Sequence, residues 1–424
     1  MINQGADGEL SPSTDGNAAI GGRALKARLR RAERMRKVAA FGLVAPLLLF
    51  VIVSFALPIA GMLWRSVEDT EVSSVMPRTI AALKGWGGQD LPSEEVYRAA
   101  ARDLAEARAN GTASAAARRL NYDINGFRTL IMTAARKAPS ADEADIRAAF
   151  VALDARWGER ETWAAVKRAS GPLTDFYLLA AVDLQHDASG SIVHVPEERA
   201  IYLDVLGRTF RISLTVTLLS LFMAFPVAYL MSTQPAKVAN LLMILVLLPF
   251  WTSLLVRTAA WVVLLQNEGL VNRLLVWMGV IDAPIRLIYN SIGVHVAMTH
   301  VLLPFMILPL YSTMKAIKPH YMRAAISLGA PPAVAFVRVY LPQCLPGIAA
   351  GCLLVFILAI GYYITPALVG GAGDQMLSYF IAFYTTDSVN WGMASALGAV
   401  LLATTMVLYG VYSRLVGDGA IKMG

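Results

Sequence analysis

Residues 38–63 contain no Asp, Glu, Lys or Arg, and at 1.5 Å per residue a helix of that length crosses about 30 Å of hydrocarbon. Only a helix or a closed barrel satisfies its own backbone in lipid, so this stretch commits the chain to a membrane-spanning helix despite Pro46 and Pro58. A secretory signal has a shorter apolar core and a small-residue cleavage site, so the segment is read as a retained span. Five further runs follow at 212–231, 238–265, 287–314, 345–368 and 391–413, and Arg257 is the only Lys or Arg in the third. The 424 residues are 56% hydrophobic and 16% charged, with mean hydropathy +0.54, which excludes an ordinary soluble domain and predicts an all-α integral membrane protein.

A net charge of +7 is compatible with nucleic acid, but eight basic residues between Arg23 and Lys37 stand directly before the first span. Membrane orientation, not nucleic acid, is written there. Residues 1–22 are rich in Gly, Ser, Asp and Asn and read as disordered. Residues 23–37 read as a basic helix on the membrane surface. Six spans put both ends on one side, together with Lys315, Lys318, Arg323 and Arg338, whereas residues 374–390 opposite hold no Lys or Arg. The positive-inside rule makes the first side cytoplasmic.

Between the first two spans lie about 140 extracytoplasmic residues. Residues 94–110 read as a helix. Ser140 with Glu143 has the form of a capping box before a stripe of Ile146, Phe150, Leu153 and Trp157. Asn125-Gly126 and Ser189-Gly190 mark turns, the latter ahead of the short apolar segment 192–195. The expectation is a small, mainly helical folded insert that either docks a partner or buttresses the outer face. The expected organisation is a cytoplasmic tail and interfacial helix over 1–37, a first span over 38–63, the insert over 64–208, a membrane core over 209–415 with a loop at 315–342, and a cytoplasmic tail over 416–424.

Residues 322–346 have a pattern of their own. Arg323 to Leu328 favour helix, Gly329 ends it, and Pro331 and Pro332 forbid its continuation. Small residues at Ala324, Ala325 and Gly329 let a partner's backbone approach closely, and basic residues surround them. On pattern alone this is either a docking element or an ordinary loop. The spacing of Ala324-Ala325, Gly329 and then Val339-Tyr340-Leu341-Pro342 resembles the cytoplasmic EAA loop of permease subunits of binding-protein-dependent ABC importers. Leu248 to Ser253, Leu255 to Thr258, Leu302 to Phe305 and Thr365 to Leu368 with Gly370-Gly371 resemble its spermidine/putrescine subgroup.

The resemblance implies the type I permease fold of six transmembrane helices, a bacterial inner-membrane location and alternating access. It implies a coupling element at Arg323, Ala324, Ala325, Gly329 and Pro342 that docks on an ABC ATPase dimer, where ATP and Mg bind. It also implies a second permease subunit, identical or different, and a periplasmic substrate-binding protein. Arg323 departs from the family's usual Glu and inverts a charge at the coupling surface. The long insert departs from the compact family form.

No G-x-x-x-x-G-K-[ST] occurs in the chain, so nothing cradles ATP phosphates in the P-loop manner, and the subunit is expected to be a transport component without catalytic residues or cofactor. His295 and His300 lie about 140° apart around a helix and make no two-histidine metal face. They read as satisfied intramembrane histidines. Cys344 and Cys352, both in one apolar run, read as small buried hydrophobes. For the solute path the candidates are Trp251 and Thr252 after the helix-breaking Pro249, Arg257, and Tyr362, Tyr363 and Thr365 before Pro366, with Glu268 and Asp374 near the outer mouth. Aromatic rings and carboxylates suit an alkylammonium. Each aromatic is also compatible with packing or an interfacial belt, and Arg257 with snorkelling. A polyamine is the expected solute, with opines, amino acids and phosphonates as alternatives. A secondary transporter would need intramembrane carboxylates that the spans lack. A membrane-anchored scaffold would have no need of the loop at Arg323.

Overall fold

A computed structural model describes residues 33–37, 39–187 and 190–421, with side chains to Arg414. The expected disordered lead and most of the basic surface helix lie outside the described residues. The chain divides into two compact units, 1–62 and 63–424. The first holds the helix that runs from Glu33 and counts through to Arg65 as a span. A π turn at Ile52–Ala56 interrupts it. Pro58 has no N–H, and its ring crowds the carbonyl four residues back; the wider turn just before it relieves that crowding.

In the second unit, the helices Tyr202–Thr233, Ser291–Ala316, Pro332–Gly361 and Trp391–Arg414 are each long and apolar enough to cross a membrane, as is the pair Ala236–Trp251 and Leu254–Leu264, bent by 96°. Counting the bent pair once makes six candidate spans among the described residues, the number of the apolar runs. Two of them differ from the predicted form.

The third is not continuous: a 3-10 turn at Leu248–Trp251, started by Pro249, ends the first half, and Ser253 Oγ accepts the Val256 N–H at 3.2 Å to begin the second. The fifth starts well before residue 345, at Pro332, and stops at Gly361; a separate helix, Ile364–Val369, follows. Pro366 cannot donate to the carbonyl four residues before it, and that carbonyl, on Tyr362, takes the Ser378 hydroxyl instead at 2.7 Å.

The bundle interior is small and flexible: Ala224 and Ala228 of the second span, Met298, Leu302 and Met306 of the fourth, Val355 and Ala359 of the fifth. Cys344 is buried there, Cys352 is half-buried, and both are free thiols.

The insert is mainly helical, as expected. Helices Glu94–Ala109, Ala113–Asp123, Phe127–Lys137, Ile146–Leu153 and Arg160–Arg168 enclose a core containing Tyr97, Phe150, Trp157 and Trp163. Ring centroids in that group lie 4.7–5.7 Å apart, mostly edge-to-face. The cap before Ile146 is Asp145, whose carboxylate accepts the Ala148 N–H at 3.0 Å, whereas Ser140 accepts a bond from Asp142 in a preceding turn; the expected capping box is therefore absent. Trp157 belongs to a 3-10 turn at Ala155–Gly158 after the helix has ended, so the expected stripe bends to follow the core. A hairpin of Leu184–His186 with Ile192–His194 completes the insert.

Two polar devices hold the insert together and to the bundle. Arg119 and Asp69 are each 1% exposed and bond at 2.7 Å, and Arg119 also holds Asp123 at 2.9 Å. The guanidinium stacks on Phe176 and Tyr177. Burial pushes the Asp69 carboxyl up to about 6 against the pull of Arg119. The second device is Asp183, buried with φ 56, whose carboxylate accepts the backbone N–H groups of Ile201, Tyr202 and Leu203 at 2.8–3.1 Å. Those are orphan donors at the start of the second span, so the insert supplies that helix with its cap.

Candidate transport path and coupling element

The stretch 320–342 folds as helix, stop, helix. His320–Ser327 forms a short helix with no buried residue. Gly329 takes φ +92, a left-handed conformation that a side chain resists, and Pro331 and Pro332 start the next helix. Arg323, Ala324 and Ala325 thus sit on a two-turn helix at the surface, which Met322 packs against the bundle core. Leu328, at its end, is 89% exposed, and Tyr321 and Ile326 are exposed beside it. Lys315, Lys318, His320, Arg323 and Arg338 accompany this apolar knob without an acidic residue between Asp282 and Asp374. Pro342 lies just past a second π turn, Phe336–Tyr340, as Pro58 does in the first span. The fifth span is therefore continuous, through that turn, with the residues that follow the short helix.

On the side of the bundle that carries the insert, the two broken spans meet. Thr258 of Leu254–Leu264 and Thr365 of Ile364–Val369 are fully buried, and their hydroxyls are 3.3 Å apart. Tyr362 is half-buried at the break and packs against the bundle core. Arg257, one residue before Thr258, is half-buried with Nε and Nη1 inaccessible and without a hydrogen-bond partner among the described residues. Trp261 Nε1 donates to His300 Nδ1 at 3.1 Å, which leaves His300 Nε2 as the protonated nitrogen when the ring is neutral. His295 Nδ1 lies 2.6 Å from the Ser291 carbonyl. Thr258, Trp261 and His300 therefore join the site, and the sequence reading passed over them in that role. The available signal for Thr258 was a small hydroxyl five residues past the N-cap Ser253, where a helix break frees space for another broken helix.

Other candidates lie elsewhere. Trp251 is exposed at the outer edge of the break, and the Thr252 hydroxyl folds back onto the Pro249 carbonyl at 2.8 Å. Tyr363 is exposed at the start of the short helix. Asp374 accepts the Gly371 N–H at 3.0 Å and so closes its own turn. Glu268 lines a separate cavity of about 410 Å³ with Arg286 and Tyr289. A larger cavity of about 1260 Å³ lies where the insert meets the bundle, walled by Tyr122, Glu161, Arg168, Phe176, Tyr202 and Tyr384 among others. Its lining holds the carboxylates of Asp123, Glu161, Asp175, Asp183 and Asp187 and the guanidiniums of Arg119, Arg168 and Arg199, so acidic groups outnumber basic ones.

Residues 214–417 match the family described as binding-protein-dependent transport system inner membrane component. The match lies entirely C-terminal to the insert. The spermidine/putrescine transport system permease protein PotB of Escherichia coli (strain K12) is 34% identical over 214 residues, which is 50% of this chain and 78% of that protein. The protein of the same name from Haemophilus influenzae is 38% identical over 50% of this chain and 75% of its own. A crystal structure of a bacterial alginate ABC transporter, in complex with an alginate pentasaccharide-bound periplasmic protein, aligns with 50% of this chain and 77% of its own at 17% identity and a TM-score of 0.43.

Proposed function

The chain belongs to the family of inner-membrane components of binding-protein-dependent transport systems, and from that premise we propose that it is the membrane-spanning subunit of an ABC importer that moves a polyamine, spermidine or putrescine, by alternating access. The observation that carries the substrate is the similarity to two permeases of that name across three quarters of their length. A partner ATPase dimer, with its ATP and Mg, seats the exposed helix His320–Ser327 and the Leu328 knob on the cytoplasmic side. A binding protein delivers the solute on the side of the insert, and a second permease subunit completes the path.

The chain's own geometry supports a direct mechanical route. Pro332–Gly361 is one 30-residue helix, about 45 Å long at 1.5 Å per residue, and it ends at Tyr362. Displacement of the short helix beside its start therefore moves the site at its far end, where Thr365 touches Thr258. Helices packed at native density shift as rigid bodies rather than deform. The break between Trp251 and Leu254 and the break at Tyr362 provide the points where the backbone angle changes.

A second reading of the solute rests on Arg257. An unpaired guanidinium in a span whose neighbours carry no carboxylate attracts an anionic group, and the second half-helix presents its positive end there as well. That chemistry suits an amino acid, opine or phosphonate. Uptake of labelled spermidine and putrescine by cells with and without the gene separates the two readings, with amino acids, opines and phosphonates as competitors. Loss of polyamine uptake, competed only by other polyamines, supports the first. Unchanged polyamine uptake with loss of an anionic or zwitterionic solute supports the second and leaves the importer reading in place. Removal of residues 324–329 should abolish association with the ATPase; retained association would overturn the coupling assignment.

A further inference from the structure

Between the third and fourth spans the chain forms a compact excursion whose centre is the helix Leu270–Trp277. One face of it is fastened down. Asn272 is fully buried, donates to the carbonyls of Gln266 and Ile285 at 3.0 and 2.9 Å, and accepts the Ile285 N–H at 3.1 Å. Val271 and Leu275 pack with Trp261, Leu265, Leu287 and Ile288. The opposite face is bare and apolar. Leu270, Leu274 and Trp277 stand at helical spacing i, i+4, i+7, and are 65%, 48% and 81% exposed. Met278 and Val280 extend the patch beyond the helix end. The one charge on the same face is Arg273, at i+3, which has no ion pair among the described residues.

We propose that this helix lies in the membrane interface on the insert side, with Leu270, Leu274 and Trp277 sunk into the headgroup–acyl boundary and Arg273 reaching the lipid phosphates. Chain continuity identifies the occupant. The helix begins six residues after Leu264 ends one membrane-crossing segment, and Ser291 starts the next. Leu255, Val256 and Val263 of the preceding half-span, the membrane-crossing segment to which the stripe is tied, are exposed as well. A fixed apolar stripe with a tryptophan and an arginine is the composition of an interfacial helix, and at the membrane boundary a stripe of this kind leaves water for the bilayer. The Asn272 bonds make the excursion rigid, so the lipid anchor is transmitted to the outer half of the bent third span. The helix is thereby a fixed footing for the half-span that carries Thr258 and Arg257.

The test uses the full chain, assembled with its partner subunits in phosphatidylethanolamine–phosphatidylglycerol vesicles. Trp277→Cys and, separately, Leu274→Cys carry a bimane label, with Ala105→Cys on an exposed insert helix as reference and the unsubstituted chain as blank. Lipids brominated near the headgroup end of the acyl chain should lower the signal at 277 and 274 about two-fold, more than lipids brominated near the chain terminus, and leave 105 unchanged. Labels at 277 and 274 as insensitive as the one at 105 would overturn the proposal. Quenching of the isolated chain that disappears in the assembled transporter would also overturn it, because the stripe would then belong to a protein partner.

Discussion

The insert and the membrane bundle are both helical, yet their fully buried positions differ: large aromatic rings stand among the insert's, Met and aliphatic residues among the bundle's. The insert centres on Tyr97, Phe150, Trp157 and Trp163 and buries an Arg119–Asp69–Asp123 cluster. The bundle core is rich in Met, with Ile, Val, Leu and a few Ala, and a Cβ on Gly351 would stand 2.7 Å from the Met306 sulfur. The surrounding solvent accounts for the difference. Water drives large apolar rings together in the insert, at about 25 cal/mol per Å² removed from contact. Lipid is as apolar as the side chains it touches, so the spans gain by close backbone approach rather than by ring size. Buried charge follows the same division. In the insert Arg119 meets Asp69 and Asp123, whereas Nε and Nη1 of Arg257 in the bundle have no hydrogen-bond partner among the described residues.

The sharpest way to break this comparison is Arg119→Met. It leaves Asp69 and Asp123 buried without their cation, at a cost of about 3–5 kcal/mol. Near-UV circular dichroism during urea titration of the full chain in detergent should show the insert's aromatic signal lost at lower urea, with span helicity retained. An unchanged midpoint would mean that the cluster is dispensable.

Next in size is the pH dependence of the same cluster. Unfolded, Asp69 releases its proton near 3.8; folded, near 6. Between those values the unfolded chain binds fewer protons, so this group's contribution to insert stability is present at low pH and lost as pH rises through about 6. The shift corresponds to about 3 kcal/mol. Asp69→Asn should remove that part of the slope in the same titration at pH 4–7, and an identical slope would exclude Asp69 as its source.

Gly351→Val has the smallest expected effect, about 1–3 kcal/mol, because Met306 is flexible and yields part of the space. It should lower the thermal midpoint of the bundle while leaving the insert's urea midpoint unchanged. A shift in both would show that the two interiors unfold as one.

The Leu328 knob illustrates how far local rules reach. Gly329 admits the left-handed turn and Pro331 and Pro332 restrict backbone angles whatever surrounds them, so the helix, stop and helix of 320–335 are readable directly. The helix Glu94–Ala109 and the Asn125-Gly126 turn were readable in the same way, from periodicity and a positive-φ glycine. The cap at Asp145 was misassigned to Ser140 because several acidic and hydroxyl residues precede Ile146, and only packing of the helix against the core selects which one reaches the Ala148 N–H. The break at Tyr362 was hidden by apolar continuity. A hydropathy run shows where lipid is tolerated, not where the backbone turns.

Six candidate spans, a basic loop side, a folded helical insert and the helix, stop and helix of 320–335 are properties of this amino-acid sequence alone, because solvent preference and backbone sterics act residue by residue. Other features depend on groups far apart in the chain and were decided only when the spans packed. Asp183 caps a helix whose first residues follow it by 18–20 positions, and Arg119 reaches 50 residues back to Asp69. Thr258 meets Thr365 across 107 residues. A hydroxyl or a charge in an apolar run carries no mark of its partner. The tertiary structure supplies that partner, since a buried polar group is stable only where another has been brought within hydrogen-bonding distance.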